Sequence, residues 1–285
     1  MKNRVRQNSW FNHLFGVKEP GFYGIIEVNS RRAFLFAPRI PPESEIWLGR
    51  IVPLSEFREI YGVDEVRHSD EMQTYISDYF ASHTHSKLFV LSGVNTDSGN
   101  TVSSPSFPFN SCDILQHIDS SPFLFNLLSE IRVIKSDMEK LLMRYCALAA
   151  SEAHVTVMRN AKAGMMEYEL EAWFLFHIYS EHGCRFTPYT CICACGPSSS
   201  TLHYGHAGFP NNRRVAAGDM ALLDMGAEFR GYASDITCSF PVSGKFNENQ
   251  RVIYEGVLAA QMAVLAAMKP GVSWCSDEFP NFFPE

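Results

Sequence analysis

Residues 222–240 read LLDMGAEFRGYASDITCSF. The two acidic residues in that stretch, Asp224 and Asp235, decide how the second half of the chain is read. Residues 221–227 are apolar and β-prone, residues 232–240 alternate, and Glu228-Phe229-Arg230-Gly231 supplies a turn, so the segment predicts a β-hairpin. A two-residue loop at Phe229-Arg230 pairs Glu228 with Gly231 and Ala227 with Tyr232, and therefore Asp224 with Asp235. Directly opposed side chains have Cβ atoms about 5 Å apart, where like charges repel. Both carboxylates sit in apolar sequence, where an unpaired charge is expensive. A divalent cation, or two, between them relieves that conflict, because carboxylates are hard oxygen ligands. The alternative is an ordinary Asp pair beside a turn, since Phe229-Arg230 is not a favoured primed-turn dipeptide and the register can slip.

At 285 residues the chain has room for two domains, and 46% apolar residues supply material for a core, so this is not a disordered composition. A net charge of −7 without a basic block gives nucleic-acid binding no electrostatic support. The N-terminal MKNRVRQNSWFNHLFGV has no apolar signal core, no run approaches a membrane span, and the eight cysteines are read as free thiols in a reducing cytoplasm. Cys191, Cys193 and Cys195 fall at a period of two on one strand face. Without a CxxC partner they are read as buried structural thiols rather than zinc ligands. There is no HExxH helix, P-loop, GxGxxG fingerprint or GxSxG elbow, and Ser198–Ser200 is read as a flexible loop.

Along the chain, residues 1–125 are read as an N-terminal α/β domain. Strands are expected at Tyr23–Ile26 and Ala33–Phe36 around a turn at Asn29-Ser30, followed by a proline-marked loop from Pro38 to Trp47. Helices are expected over 54–61, 70–81 and 120–131, with a buried strand Leu88–Leu91 stopped by Gly93 and an irregular loop over 95–109. In residues 126–272, Ser136 and Glu139 form a capping-box pattern for a helix running toward Gly164, and a second helix covers 167–181. A strand over 187–195, the Asp hairpin and a last helix from Asn247 to Met268, with Gln250 as capping partner, follow. Met262 and Met268 are read as core. The order helix, helix, strand, hairpin, helix gives an α+β layer with helices on one face of a mostly antiparallel sheet.

The hairpin, LHYGHAGFPNNR, YTCICACG, GVNTDSGN, FGVKEPGFYG and MKPGVSW together resemble the prolidases, Xaa-Pro dipeptidases of the pita-bread metallopeptidases. The likeness runs from Phe11 to Trp274. It implies an N-terminal α/β domain followed by a pita-bread catalytic domain in a cytoplasmic homodimer. It also implies hydrolysis of dipeptides ending in proline or hydroxyproline at a centre of two manganese ions. Carried over residue by residue, Asp224 and Asp235 correspond to metal ligands. His203 corresponds to a histidine contacting the dipeptide, and Trp47 to a tryptophan reaching a neighbouring active site.

The resemblance further implies one His and two Glu ligands that follow this part of the family sequence. None is assigned here, nor is any catalytic acid or base. The N-terminal domain is expected to lack its opening segment, and the 126–272 segment to be the first half of its domain. Residues 273–285 (SWCSDEFPNFFPE) depart from the family after Trp274 and are read as a divergent tail. The expectation is therefore an incomplete catalytic domain, inactive alone and with uncovered apolar surface. A non-catalytic partner- or peptide-binding protein, or a fragmentary gene product, is the alternative.

Overall fold

The computed structural model describes residues 6–96, 98–103 and 112–272. The predicted tail over 273–285, part of the 95–109 loop and Asp97 of GVNTDSGN lie outside the described residues. The chain divides into two compact units, Met1–Ser136 and Asp137–Glu285.

In the first unit, helix α1 (Ser9–Phe15) starts where the Asn8 side chain accepts from Trp10 N and Phe11 N, and it ends at Gly16 in the left-handed region. Strands β1 (Tyr23–Glu27) and β2 (Arg32–Ala37) form an antiparallel hairpin with Glu27 opposite Arg32, which leaves Asn29-Ser30 at the tip as predicted. A 3-10 turn (Pro42–Ser44) leads into a short helix, α2 (Glu45–Leu48), so Trp47 is helical rather than the end of a loop. Pro41 and Pro42 preset the φ of the entering turn, and that starts the helix. Helix α3 (Leu54–Tyr61) precedes β3 (Glu65–His68), which pairs parallel with β2, and α4 (Met72–Ser82) follows. Phe34 and Phe36 of β2 pack on Met72, Ile76 and Phe80, while Leu35 packs on the other face with Phe57 and Val66. That two-sided burial is why β2 carries no alternation.

The rest of this unit departs from expectation. The strand at Leu88 is only β4 (Leu88–Phe89), and Phe89 is exposed. Gly93 does not stop it but lies inside β5 (Ser92–Val94), paired antiparallel with β6 (Thr101–Ser103). A Cβ at Gly93 would overlap the Phe125 ring, so glycine admits a neighbouring side chain instead of breaking the strand. Helix α5 (Cys112–Leu115), strand β7 (Ile118–Asp119) beside β4, and helix α6 (Phe123–Val133) complete the unit.

In the second unit, α7 (Asp137–Asn160) and α8 (Glu167–Ser180) pack side by side on one sheet. Helix α7 stops at Asn160, short of Gly164, whose N–H binds Val215 O. The sheet has β8 (Ile192–Cys195) at one edge, β9 (Met220–Met225) in the centre and β12 (Ile236–Pro241) at the other edge, all antiparallel. Between β9 and β12, β10 (Glu228–Phe229) and β11 (Tyr232–Ala233) close the hairpin. The expected strand over 187–195 is confined to its last four residues. Ser198–Ser200 belong to a 3-10 turn, with Pro197 at its start and the Ser199 and Ser200 hydroxyls donating to Gly196 O and Pro197 O.

Strand β9 alternates by design of its sequence. Ala221, Leu223 and Met225 are fully buried against Ala149, Ala153, Leu170 and Phe174 of the two helices. Leu222 and Asp224 occupy the opposite face, where Leu222 meets Ile192, Ala194 and Tyr204. Cys191, Cys193 and Cys195 join the helix-side core, as read, and burial pushes the Cys191 and Cys195 thiols up to about 12. Helix α9 (Glu248–Ala267) carries the predicted capping box between Asn247 and Gln250. The core reading of its methionines fails: Met262 and Met268 are 57% and 51% exposed, together with Val252, Ile253, Val257 and Leu265. The periodicity was that of an apolar stripe, and among the described residues nothing buries it.

Candidate metal centre

The hairpin differs from its predicted register in one decisive way. Phe229 pairs with Tyr232, so the loop is Arg230-Gly231 rather than Phe229-Arg230, and both loop residues have positive φ (51° and 83°). Two positive φ values in a two-residue loop match the right-handed twist of the flanking strands. Asp224 therefore faces Thr237, not Asp235, on β12 and Ile192 on β8. Asp235 lies two residues before Thr237, which puts it on the same face in a diagonal position.

The two carboxylates still converge. The Tyr189 hydroxyl lies 2.6 Å from Asp224 Oδ1 and 2.9 Å from Asp235 Oδ1, so these two bonds laid end to end cap the oxygens' separation. One phenolic hydrogen cannot fully serve two anions. Burial, reinforced by both carboxylates, pushes the Tyr189 phenol far above its ordinary value, so it remains a neutral donor. A pair of hard oxygen donors served by a single hydrogen fits a divalent cation.

The backbone around the pair is tightly fixed. A Cβ on Gly226 would overlap Ser234 O and Pro188, so only glycine lets the two strands approach there. Ser234 N donates to Ala227 O, and Ala227 N donates to the Ser234 hydroxyl. Behind Met225, the buried His154 donates from Nε2 to Met225 O at 3.1 Å, and burial holds the ring's pKa below its ordinary value.

Sequence reading missed the residues that anchor β8. Glu167, the first residue of α8, is fully buried. Its Oε1 accepts from Cys195 N (2.8 Å), and its Oε2 accepts from the Tyr204 hydroxyl (2.8 Å) and Arg213 N (2.9 Å). Asn211 accepts from Cys193 N and donates to Cys191 O and Glu171 Oε2. Arg213 donates to Asp219 and to Cys195 O. Glu167 looked like any acidic first-turn residue, and Asn211 like any loop polar. Their only sequence signal was membership of LHYGHAGFPNNR and of a helix start. Tyr204 is buried in this cluster, and at Gly205 (φ 91°) a Cβ would overlap Cys191 O. His203 and His206, on either side, are exposed. Trp47, in the first unit, is 75% exposed.

Known proteins share this arrangement of sequence. The model of metallopeptidase family M24 matches residues 141–277, and that of the aminopeptidase P N-terminal domain matches residues 3–89. Human Xaa-Pro dipeptidase is 46% identical over 269 residues, covering 94% of this chain and 53% of the human protein. Residues 141–277 carry the sequence of metallopeptidase family M24. The Xaa-Pro dipeptidase of Rattus norvegicus is 45% identical with the same coverage, so the chain spans about half the length of the curated relatives it matches. Among solved structures, proline aminopeptidase P II from Yersinia pestis superposes with a TM-score of 0.75 at 30% identity, covering 94% of this chain and 61% of that one. Zinc-substituted aminopeptidase P from Escherichia coli, in complex with product, gives 0.72 at 27% identity, covering 94% and 60%. The chain folds as the N-terminal domain and part of the pita-bread domain of these proteins, and a metallopeptidase family implies divalent metal ions. No helix among the described residues is long and apolar enough to cross a membrane.

Proposed function

We propose that this chain carries part of the active site of an M24 peptidase of the Xaa-Pro dipeptidase type, acting on dipeptides that end in proline or hydroxyproline. Asp224 and Asp235 are then two ligands of a two-manganese centre. The observation behind this reading is their convergence on the single Tyr189 hydroxyl. When bound, the ions polarise the scissile carbonyl and lower the pKa of the attacking water.

The chain's own residues have separable roles. Asp224 and Asp235 would hold the cations, and the Tyr189 hydroxyl, within hydrogen-bond reach of both carboxylates, orients them. Glu167 and Asn211 fix β8 and the LHYGH loop beside the pair. His203, exposed at the head of that loop, is suited to contact the dipeptide's carbonyl or carboxylate. A bond to proline nitrogen has no N–H, so the substrate must be recognised by shape and by its terminal carboxylate. Trp47, exposed on α2, would contact substrate from a second copy in a cytoplasmic homodimer, with neither nucleic acid nor membrane as partner. The 46% identity to human Xaa-Pro dipeptidase supports this substrate class.

Proline release from Gly-Pro with added Mn²⁺ tests the reading, run on this chain and on the longest product of its transcript. Activity in the longer product that falls at least about 100-fold in Asp224→Asn is expected, since several kcal/mol of charge stabilisation depend on the metals. A longer product that leaves Gly-Pro intact would overturn it. The exposed stripe of α9 favours a second reading, in which this chain binds a partner without catalysis.

A further inference from the structure

We propose a second, structural metal site of the zinc class, formed by Glu152 of α7, His177 of α8 and His182 just past the end of α8. One ligand atom from each lies within 4.8 Å of the other two, and among the described residues no other group of three His, Cys, Asp or Glu side chains meets that condition. The site uses none of the residues of the Asp224–Asp235 centre.

The tautomer of His177 is set by its neighbours. The Thr156 hydroxyl donates to Glu152 O (3.1 Å), which commits its one hydrogen. Its 3.1 Å contact with His177 Nδ1 is then one in which the ring nitrogen donates. His177 Nε2 is therefore left with its lone pair free, and it is buried without a hydrogen-bond partner. A histidine held through one nitrogen by an outer partner, with the other nitrogen bare, has the arrangement of a metal ligand.

His182 completes the pattern. Its Nε2 lies 3.0 Å from Glu152 Oε2, yet it too is buried without a hydrogen-bond partner, because the carboxylate oxygen lies off the ring's N–H direction. The residue is pinned from the backbone, where the Tyr145 hydroxyl donates to His182 O at 2.8 Å. Cys184 N closes the helix end on Ile178 O, and Gly183 takes a left-handed φ of 62°. A plain His182–Glu152 ion pair accounts neither for the off-axis approach nor for the bare nitrogen of His177.

Two imidazoles and one carboxylate suit Zn²⁺, with water as fourth ligand. Bonds of about 2.0–2.2 Å to such an ion put the ligand atoms roughly 3.4 Å apart, a small side-chain adjustment from the arrangement here. Glu152 is half exposed and gives the ion a route in from solvent. The bound ion would staple the middle of α7 to the end of α8.

The test is calorimetric titration of the full chain with Zn²⁺ in an Asp224→Asn/Asp235→Asn background, which removes the other centre. One equivalent is expected to bind. His177→Ala, His182→Ala and the more exposed Glu152→Gln should each weaken binding at least about 10-fold, and Thr156→Val should weaken it with unchanged stoichiometry. Melting of the metal-free variants shows that each is folded. With Co²⁺, a tetrahedral visible spectrum without a thiolate charge-transfer band supports the site. Absence of Zn²⁺ binding, equal binding by all four variants, or a thiolate band marking cysteine ligation would overturn it.

Discussion

Asp224 is paired across the hairpin with Thr237, and Asp235 stands two residues away from that partner on the same face. The diagonal placement spreads two like charges that direct opposition would crowd, and Tyr189 draws them back together. Tyr189→Phe should therefore destabilise the metal-free chain by about 1 kcal/mol, the net worth of the hydrogen bond to half-buried Asp224, because the exposed Asp235 finds water instead. Saturating Mn²⁺ should recover much of that loss. Paired melts with and without Mn²⁺ measure it, and a variant loss unchanged by the ion would contradict the role given to Tyr189.

The loop that sets this register runs against the preference of one of its residues. Arg230 has φ 51°, a region that asparagine tolerates better than arginine. Arg230→Asn should raise the melting temperature slightly, by a stabilisation of up to about 1 kcal/mol. Gly231→Ala, at φ 83°, should lower it by a comparable or larger amount. Calorimetric melts of the two variants should move in opposite directions.

Glu167 serves three donors from a fully buried position. Gln supplies one acceptor oxygen and an NH₂ that faces donors, so at least one of Cys195 N, the Tyr204 hydroxyl and Arg213 N loses its acceptor. Glu167→Gln should cost on the order of 1–3 kcal/mol in urea unfolding. It should also speed amide hydrogen exchange at Cys195 and Arg213, while exchange within α9 stays unchanged.

Acid sensitivity should be traceable to Asp219. Burial raises its carboxyl pKa, but hydrogen bonds from Arg213 and Ala216 N more than offset this, so the folded value lies below the ordinary 3.8. A depressed folded pKa stabilises the fold fully above the unfolded value and loses that contribution as pH falls through the folded one. The gap in melting temperature between the natural chain and Asp219→Asn should be widest near neutral pH and should narrow below about pH 4. A gap constant down to pH 3 would contradict it.

What was legible in the sequence followed from local rules. The Asn29-Ser30 hairpin, helix 54–61 and the Asn247–Gln250 cap each rest on residues within one turn of each other, and each was found. The Asp pair was legible because Asp224 interrupts an apolar strand and Asp235 immediately precedes the next one, but its register was not. Choosing Arg230-Gly231 requires an arginine at positive φ, which the twist of the strands enforces and propensity argues against. Gly93 was read as a breaker because the Phe125 ring that needs its space lies 32 positions along the chain. Glu167 and Asn211 were invisible for the same reason, since their donors come from residues 18–46 positions away. Met262 and Met268 show the converse: helical period identifies an apolar face but not whether anything covers it.

In the proposed site, Asp224 and Asp235 together hold a divalent cation. The decisive measurement is titration of the His177→Ala/His182→Ala chain with Mn²⁺, which leaves out the second site, following loss of the free-ion paramagnetic signal. Two carboxylates without further assigned ligands predict weak binding, with Asp224→Asn and Asp235→Asn each abolishing the same component. Mn²⁺ binding that survives both substitutions unchanged, or tight uptake of two ions, would contradict a shared cation at this pair.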